Sequence, residues 1–163
     1  MIFVTVVFIL KKGQNSINII QKSEAIRSGL QKGFQDGTSK LSQRKCCGYD
    51  VGPDGELTIN PDEAAIVRWI FDQYLNGSSL GTIVADLEEK GVLSPTGKPK
   101  WNREALNKLL SNEKYMGRVL LQKTVSIGTA QIKNDGLMDR YLYIDSHEAI
   151  ISDEMSQNLF KIF

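Results

Sequence analysis

The chain has 163 residues, 41% of them hydrophobic, enough for the core of one ordinary domain with or without an extension. A net charge of +1 taken alone argues against a nucleic-acid binder, yet it averages opposed blocks: residues 50–89 hold nine acids against Arg68 alone, and residues 90–133 hold nine bases against Glu104 and Glu113. Such blocks suit a protein that turns one side to a polyanion and another to water, because the local field at the contact is what attracts phosphates; an unevenly charged solvated surface gives the same counts.

Met1 to Leu10, MIFVTVVFIL, is apolar but too short to span a bilayer, which takes about 20 residues. Lys11 and Lys12 follow it rather than precede it, unlike a signal peptide, and its Val, Ile, Thr and Phe content predicts a β-strand. Residues 1–20 are set apart as an apolar extension with no functional account. From Asn18 to Phe34, Ile19, Ile20, Ile26, Leu30 and Phe34 fit a helical stripe, against which Gly29 and Gly33 count. Gln35 to Arg44 has loop composition with an Asp36-Gly37 turn, and Lys40, Arg44 and Lys45 make it a candidate arm for a phosphate track or minor groove, or an ordinary linker. Residues 21–45 therefore read as a helix and basic linker, and residues 46–163 as the main domain. Cys46 and Cys47 are adjacent, where a disulfide is strained, and two ligands do not complete a zinc site of about four. Reduced thiols in a cytoplasmic protein, with no metal or other cofactor, are expected.

Tyr49 to Ile59 carries Gly52-Pro53 and Asp54-Gly55 turn signals, followed by Glu56 to Ile59 as a short strand or extended lead-in to the first helix. Three short helices are predicted next. Asn60 caps the first, Pro61 stands at its first position and Glu63 can reach back to the cap, while Ile66, Val67, Ile70, Phe71, Tyr74 and Leu75 share one face and Gly77 ends it. The second begins at Ser78 or Ser79, buries Leu80, Ile83, Val84 and Leu87, and ends at Gly91. The third starts near Asn102 and turns Leu106, Leu109 and Leu110 inward, leaving Arg103, Glu104, Asn107, Lys108 and Ser111 outward. The connection Val92 to Trp101 is stiffened by Pro95 and Pro99 and ends on Trp101, expected in the core. Gly117 to Thr124 and Arg140 to Ile144 read as strands of a wing, with turns at Gly128 and at Asn134 to Gly136, and Ser152 caps a last helix. The fold class is α+β, a winged helix-turn-helix-like three-helix core with a small antiparallel β-sheet, although Gly91 to Trp101 is longer than the usual turn of roughly 3–4 residues.

The run from Gly48 to Val119 resembles the recombinase domain of the large serine recombinases, the phage integrases and transposon-excision enzymes. The residues that carry the resemblance include Gly48-Tyr49, Asn60-Pro61, Glu63-Ala64, Ile70-Phe71, Tyr74, Gly77, Ser79-Leu80, Gly91, Pro95, Gly97, Trp101, Leu110, Asn112, Tyr115 and Gly117, and it continues more weakly through His147 to Ile151 and back to about Ser23. It implies a domain that binds double-stranded DNA at part of an attachment site, within a longer protein that also has catalytic and zinc-ribbon domains; the chain is expected to stop before the zinc ribbon. Arg103, Asn107 and Lys108 are then expected to face the major groove, and Lys98, Lys100, Arg118 and Lys123 to grip phosphates. Glu104 pairing with Lys108 one turn on is the alternative for that face.

Serine recombination needs a serine nucleophile ringed by arginines that neutralise the scissile phosphate. The six arginines, Arg27, Arg44, Arg68, Arg103, Arg118 and Arg140, are scattered, and the chain as it stands is expected not to be an enzyme. His147 is the sole histidine, Glu88 and Glu89 diverge as helix neighbours, and Ser94 to Lys98 lacks the first glycine of a phosphate loop. The rival readings are a free-standing winged-helix transcription regulator and an interaction remnant that keeps the fold without DNA affinity.

Overall fold

The computed structural model describes residues 14–36, 39–127 and 129–160, with side chains described between residues 24 and 157 of that range. The predicted strand at Met1 to Leu10, the turn glycines Gly37 and Gly128, and the side chains of Ile19 and Ile20 lie outside it. The chain divides into two units, Met1–Ser39 and Lys40–Phe163. The first contains α1, Gln14–Gln35, which continues through both glycines. The predicted stripe is not buried there, since Ile26 is 56% and Leu30 50% exposed. Among the described residues no helix is long and apolar enough to cross a membrane.

The second unit opens with a hairpin of β1, Tyr49–Val51, and β2, Leu57–Ile59, antiparallel with Tyr49 opposite Ile59. The β1 strand was not foreseen; Gly48 and Cys47 offer no alternating pattern ahead of it. The three predicted helices follow as α2, Pro61–Leu75, α3, Leu80–Glu89, and α4, Arg103–Leu110. Their starts are local chemistry. Asn60 Oδ1 accepts from Glu63 N at 3.1 Å, Ser79 Oγ from Thr82 N at 3.1 Å, and Asn102 Oδ1 from Glu104 N at 2.8 Å. The capping box does not close. The Asn60 N–H already donates to the Gly48 carbonyl at 3.0 Å, so the Glu63 carboxylate crosses to the Gly48 N–H at 2.7 Å and ties α2 to the hairpin instead. Left-handed Gly77 and Gly91, at φ 89° and 67°, turn the chain out of α2 and α3.

Val67, Ile70 and Phe71 from α2, Ile83 and Leu87 from α3, and Leu106, Leu109 and Leu110 from α4 form one core with Tyr49, Trp101 and Tyr115. Trp101, 6% exposed, donates Nε1–H to the Val92 carbonyl at 2.8 Å and its backbone N–H to Glu88 Oε1 at 3.0 Å. Those bonds close the long connection across its two ends, so its extra length leaves the three-helix core intact.

After α4 comes a 3₁₀ turn, Glu113–Met116, and then four short strands: β3, Val119–Leu121; β4, Thr124–Ile127; β5, Ala130–Lys133; and β6, Tyr141–Tyr143. The predicted strand Gly117 to Thr124 is broken at Gln122, whose φ is 61°. Asn134, 1% exposed, holds Gln122 O at 2.9 Å and Met138 O at 2.8 Å and accepts from Met138 N at 3.0 Å. This staple redirects the chain, so β3 pairs with β6 and β4 with β5; with β1–β2 the strands among the described residues form three separate antiparallel pairs rather than one sheet. The last element among the described residues is α5, Asp153–Phe160.

The hairpin, the 3₁₀ turn and the segment 147–151 meet at the Tyr49 hydroxyl. It faces the carbonyls of Glu148 at 2.9 Å and Lys114 at 3.1 Å and accepts from Ile150 N at 3.3 Å. Its ring stacks at 6.2 Å on Tyr115 and meets His147 edge-on at 4.9 Å. Burial pushes its ionisation up to about 12, so it remains a neutral donor. Tyr49→Phe keeps the ring but strands the Glu148 carbonyl and the Ile150 N–H, and is expected to lower stability by about 1–3 kcal/mol, read as a shifted urea midpoint at unchanged slope.

His147 Nε2 lies 2.7 Å from the Lys114 carbonyl, which can only accept, so the hydrogen is on Nε2; Nδ1 is buried and unpaired among the described residues. Burial holds its pKa below the ordinary value against that hydrogen bond. The unfolded chain therefore binds the extra proton first. Its contribution is complete above the unfolded value of about 6.5 and is lost as pH falls from there towards the depressed folded value. Urea titrations from pH 7.5 to 5 should show declining stability in the unaltered protein and a flatter profile in His147→Gln.

Candidate nucleic-acid interface

Helix α4 buries Leu106, Leu109 and Leu110 and leaves Arg103, Glu104, Asn107, Lys108 and Ser111 exposed, a division set by 3.6-residue periodicity. The exposed side chains are not equivalent. Lys108 Nζ is 2.7 Å from Glu104 Oε1, the intrahelical alternative weighed from the sequence, and that bond holds the Glu104 carboxyl below its usual range. Arg103 leans off α4 towards the start of α3: a Cβ built on Gly81 would come within 2.9 Å of its Nη2. Gly81 thus supplies the flat seat on which the guanidinium rests. Asn107 keeps its side chain outward, while its backbone carbonyl accepts from Ser111 Oγ at 2.8 Å.

Before α4, Lys98 and Lys100 are exposed on the connection, which is shaped by a Ser94 N to Lys98 O bond of 2.8 Å. Neither lysine has an ion-pair partner among the described residues. After α4, two of the predicted phosphate contacts hold carboxylates: Arg118 Nη2, just before β3, meets Asp153 Oδ1 of α5 at 2.8 Å, and Lys123 Nζ meets Glu113 Oε2 at 2.7 Å. The β4–β5 hairpin projects with exposed Ser126, Gln131 and Lys133, the last within 2.9 Å of Asp135.

The predicted arm divides as well. Lys45 turns to Asp50 at 3.0 Å, which raises its pKa, and lies 3.9 Å from Glu63. Lys40 and Arg44 are exposed, and Arg44 lines a cleft of about 240 Å³ that also takes in Lys123 and the β3–β4 junction. Lys98, Lys100, Arg103, Asn107, Lys40 and Arg44 therefore stand without carboxylate partners among the described residues, whereas Lys45, Lys108, Arg118 and Lys123 are paired. Lys114, not singled out from sequence, is buried beneath the arm with Nζ 2.7 Å from both the Ser42 and the Arg44 carbonyls. Burial lowers its pKa. The lone signal for it was a lysine between the apolar ends of α4 and β3; Gly81 gave none, since a glycine in a helix is read only as a lost side chain.

Cys46 and Cys47 are both free and half-buried, and burial pushes Cys47 up to about 11, far from a reactive thiolate. Among the described residues no group of three or more His, Cys, Asp or Glu side chains can hold a metal ion.

A family model described as Recombinase matches residues 61–162. The chain is similar to a solved structure described as a large serine recombinase (LSR)–DNA complex, at 26% identity over 73% of this chain and 32% of that one, with a TM-score of 0.47. It is also similar to a structure described by the sequence requirements of the Listeria innocua prophage attP site, at 26% identity over 85% of this chain and 51% of that one, with a TM-score of 0.54. The chain spans about half, or less, of the length of these solved proteins.

Gly81→Ala tests the seat of Arg103. Replacing a helical glycine is expected to raise stability by up to about 1 kcal/mol, seen as a higher Tm, while the new methyl displaces the guanidinium and shifts the Arg103 Nε–H resonance. An unmoved resonance would show that Arg103 does not rest there.

Proposed function

The chain belongs to the Recombinase family, the middle domain of large serine recombinases, and from that membership we infer that Lys40–Phe163 binds duplex DNA at part of an attachment site used for integration or excision. The observation that carries the reading is α4: a helix seated on three leucines, with Arg103 and Asn107 exposed and uncovered lysines on the connection that leads into it. Arginine suits the O6 and N7 acceptors of guanine in the major groove, and asparagine the N6 and N7 pair of adenine. Lys98, Lys100, Lys40 and Arg44 meet phosphates, which position the domain without reading sequence. Lys108 joins them by exchanging Glu104 for the DNA. Arg118, Lys123 and Lys45 act first as ties within the fold and add to the positive field around it. The likeness to a protein whose description concerns a prophage attP site supports an attachment site as the target.

On this reading the chain performs no strand cleavage. Arg68 is bound to the Ile150 carbonyl at 3.1 Å, Arg118 to Asp153, and Arg103 lies on Gly81, three separate places rather than a ring about a serine. Catalytic and zinc-ribbon domains of a longer recombinase are its partners, and the bacterial or phage cytoplasm is where it meets DNA. Linked modules raise one another's effective concentration, so the affinity of this unit by itself is modest.

Fluorescence anisotropy on a pool of labelled duplexes at several salt concentrations tests the reading. Binding is expected to weaken steeply with salt, and Lys98→Ala with Lys100→Ala to flatten the log–log slope by about 2 on every sequence. Arg103→Ala and Asn107→Ala should instead erase preference among sequences, at about 1–3 kcal/mol for each base pair read. No salt-dependent binding even at low ionic strength would favour the interaction remnant.

A further inference from the structure

We propose that Lys114 is the positioning residue of a DNA-contacting arm: its buried ammonium holds the Ser42 and Arg44 carbonyls, and so presents Lys40 and Arg44 to backbone phosphates as a preformed element. The proposal rests on the DNA-binding reading above and assigns a role to a lysine that itself cannot reach DNA.

Lys114 is 9% exposed, in the 3₁₀ turn between α4 and β3. Its Nζ lies 2.7 Å from the Ser42 carbonyl and 2.7 Å from the Arg44 carbonyl, both short for charge-assisted bonds. The nearby Glu113 carboxylate is engaged elsewhere, with one oxygen on Lys123 Nζ at 2.7 Å and the other on Leu120 N at 3.1 Å. An apolar side chain of the same length would fill this place without the cost of desolvating an ammonium. What the ammonium adds is the link to the arm, because two carbonyls two residues apart converge on one donor only if the chain between them is bent.

Other contacts hold the same bend. Gln43 N donates to the Lys40 carbonyl at 3.3 Å, and the Gln43 side chain lies over Gly55, where φ is +82° and a Cβ would collide with its carboxamide. The carboxamide reaches the Asp54 carbonyl at 3.5 Å. Residues 42–44 are thus clamped between the 3₁₀ turn and the β1–β2 turn, while the Lys40 and Arg44 side chains remain exposed. Lys45 is drawn back to Asp50, which leaves Lys40 and Arg44 as the arm's outward charges. A free linker would lose its conformational entropy when it ordered on DNA; an arm already fixed by Lys114 has lost it on folding, and binds the more tightly for that.

The test uses the full chain and labelled duplex DNA across a salt series, with hydrogen exchange of residues 40–45 followed without DNA. Lys114→Met keeps the apolar stem and removes the link. The expected result is faster exchange in the arm and a salt slope shallower by about 2, matching the loss of the two phosphate contacts removed directly in Lys40→Ala/Arg44→Ala. The loss of one buried charge from the field would flatten it by about 1 at most. Adding Lys114→Met to the Lys40→Ala/Arg44→Ala background should change the slope little further, whereas its combination with Arg103→Ala should be additive. Lys114→Gln, which retains a neutral donor, guards against loss of the fold and should fall between the two. Binding by the unaltered protein that Lys114→Met leaves unchanged, or an arm whose exchange does not quicken in either variant, would overturn the anchoring alone. Absence of binding by the unaltered protein at low salt would overturn the DNA reading beneath it.

Discussion

The Tyr49 hydroxyl is the constraint on which the second unit depends. It joins segments separated by 65 to 101 residues, and each partner is a backbone group. The three-helix core can assemble from its own leucines and isoleucines, but the hairpin before it and the strands after it have short ladders and small apolar faces. They are held because one buried side chain offers a donor and an acceptor together. His147 and Arg68 complete the closure, the first on the Lys114 carbonyl and the second on the Ile150 carbonyl. Gly117 belongs to it too: at φ 69°, a Cβ there would stand 2.7 Å from the His147 carbonyl, so the segment can pass only because the side chain is absent.

Near-zero net charge and a DNA-binding role are compatible because acidic side chains are spent in two ways. Asp50, Glu63, Glu113 and Asp153 tether basic groups that would otherwise extend freely, and each tether crosses between elements. Exposed pairs of this kind add little stability in themselves, about 0–1 kcal/mol, so their consequence is orientation. Five others, Asp62, Asp72, Asp86, Glu88 and Glu89, lie on α2 and α3, in the sequence block that precedes the connection and α4. In the proposed function the field offered to phosphates is that of the uncovered Lys98, Lys100, Arg103, Lys40 and Arg44, and a charge total cannot report it.

The connection into α4 shows how an irregular segment presents a regular one. Glu88 at the end of α3 receives the Trp101 N–H, the indole closes on Val92, and Asn102 then caps α4. The helix is aimed by three hydrogen bonds within one turn of its start, and its leucines fix its rotation. The length that sets this motif apart from a tight helix-turn-helix is taken up in a closed loop carrying two lysines.

The amino-acid sequence by itself determined the three helices, their caps and stops, the inward leucines of α4 and the burial of Trp101. Each rests on chemistry within about four residues: an Asn or Ser side chain reaching an N–H two or three positions on, a glycine at positive φ, a 3.6-residue stripe. Family membership was legible for a related reason, since those markers recur at fixed spacing. Only the tertiary structure decided the partner of Glu63, the break at Gln122, the division into three strand pairs, the seat of Arg103 on Gly81 and the burial of Lys114 beneath residues 42–44. Each of these sets a side chain against a group far along the chain, and periodicity carries no information about which distant carbonyl or carboxylate a polar side chain will find. The same limit explains the basic residues: exposure on α4 followed from its stripe, but which cations would be tethered was settled by folding, when Asp50, Glu113 and Asp153 came within hydrogen-bonding distance.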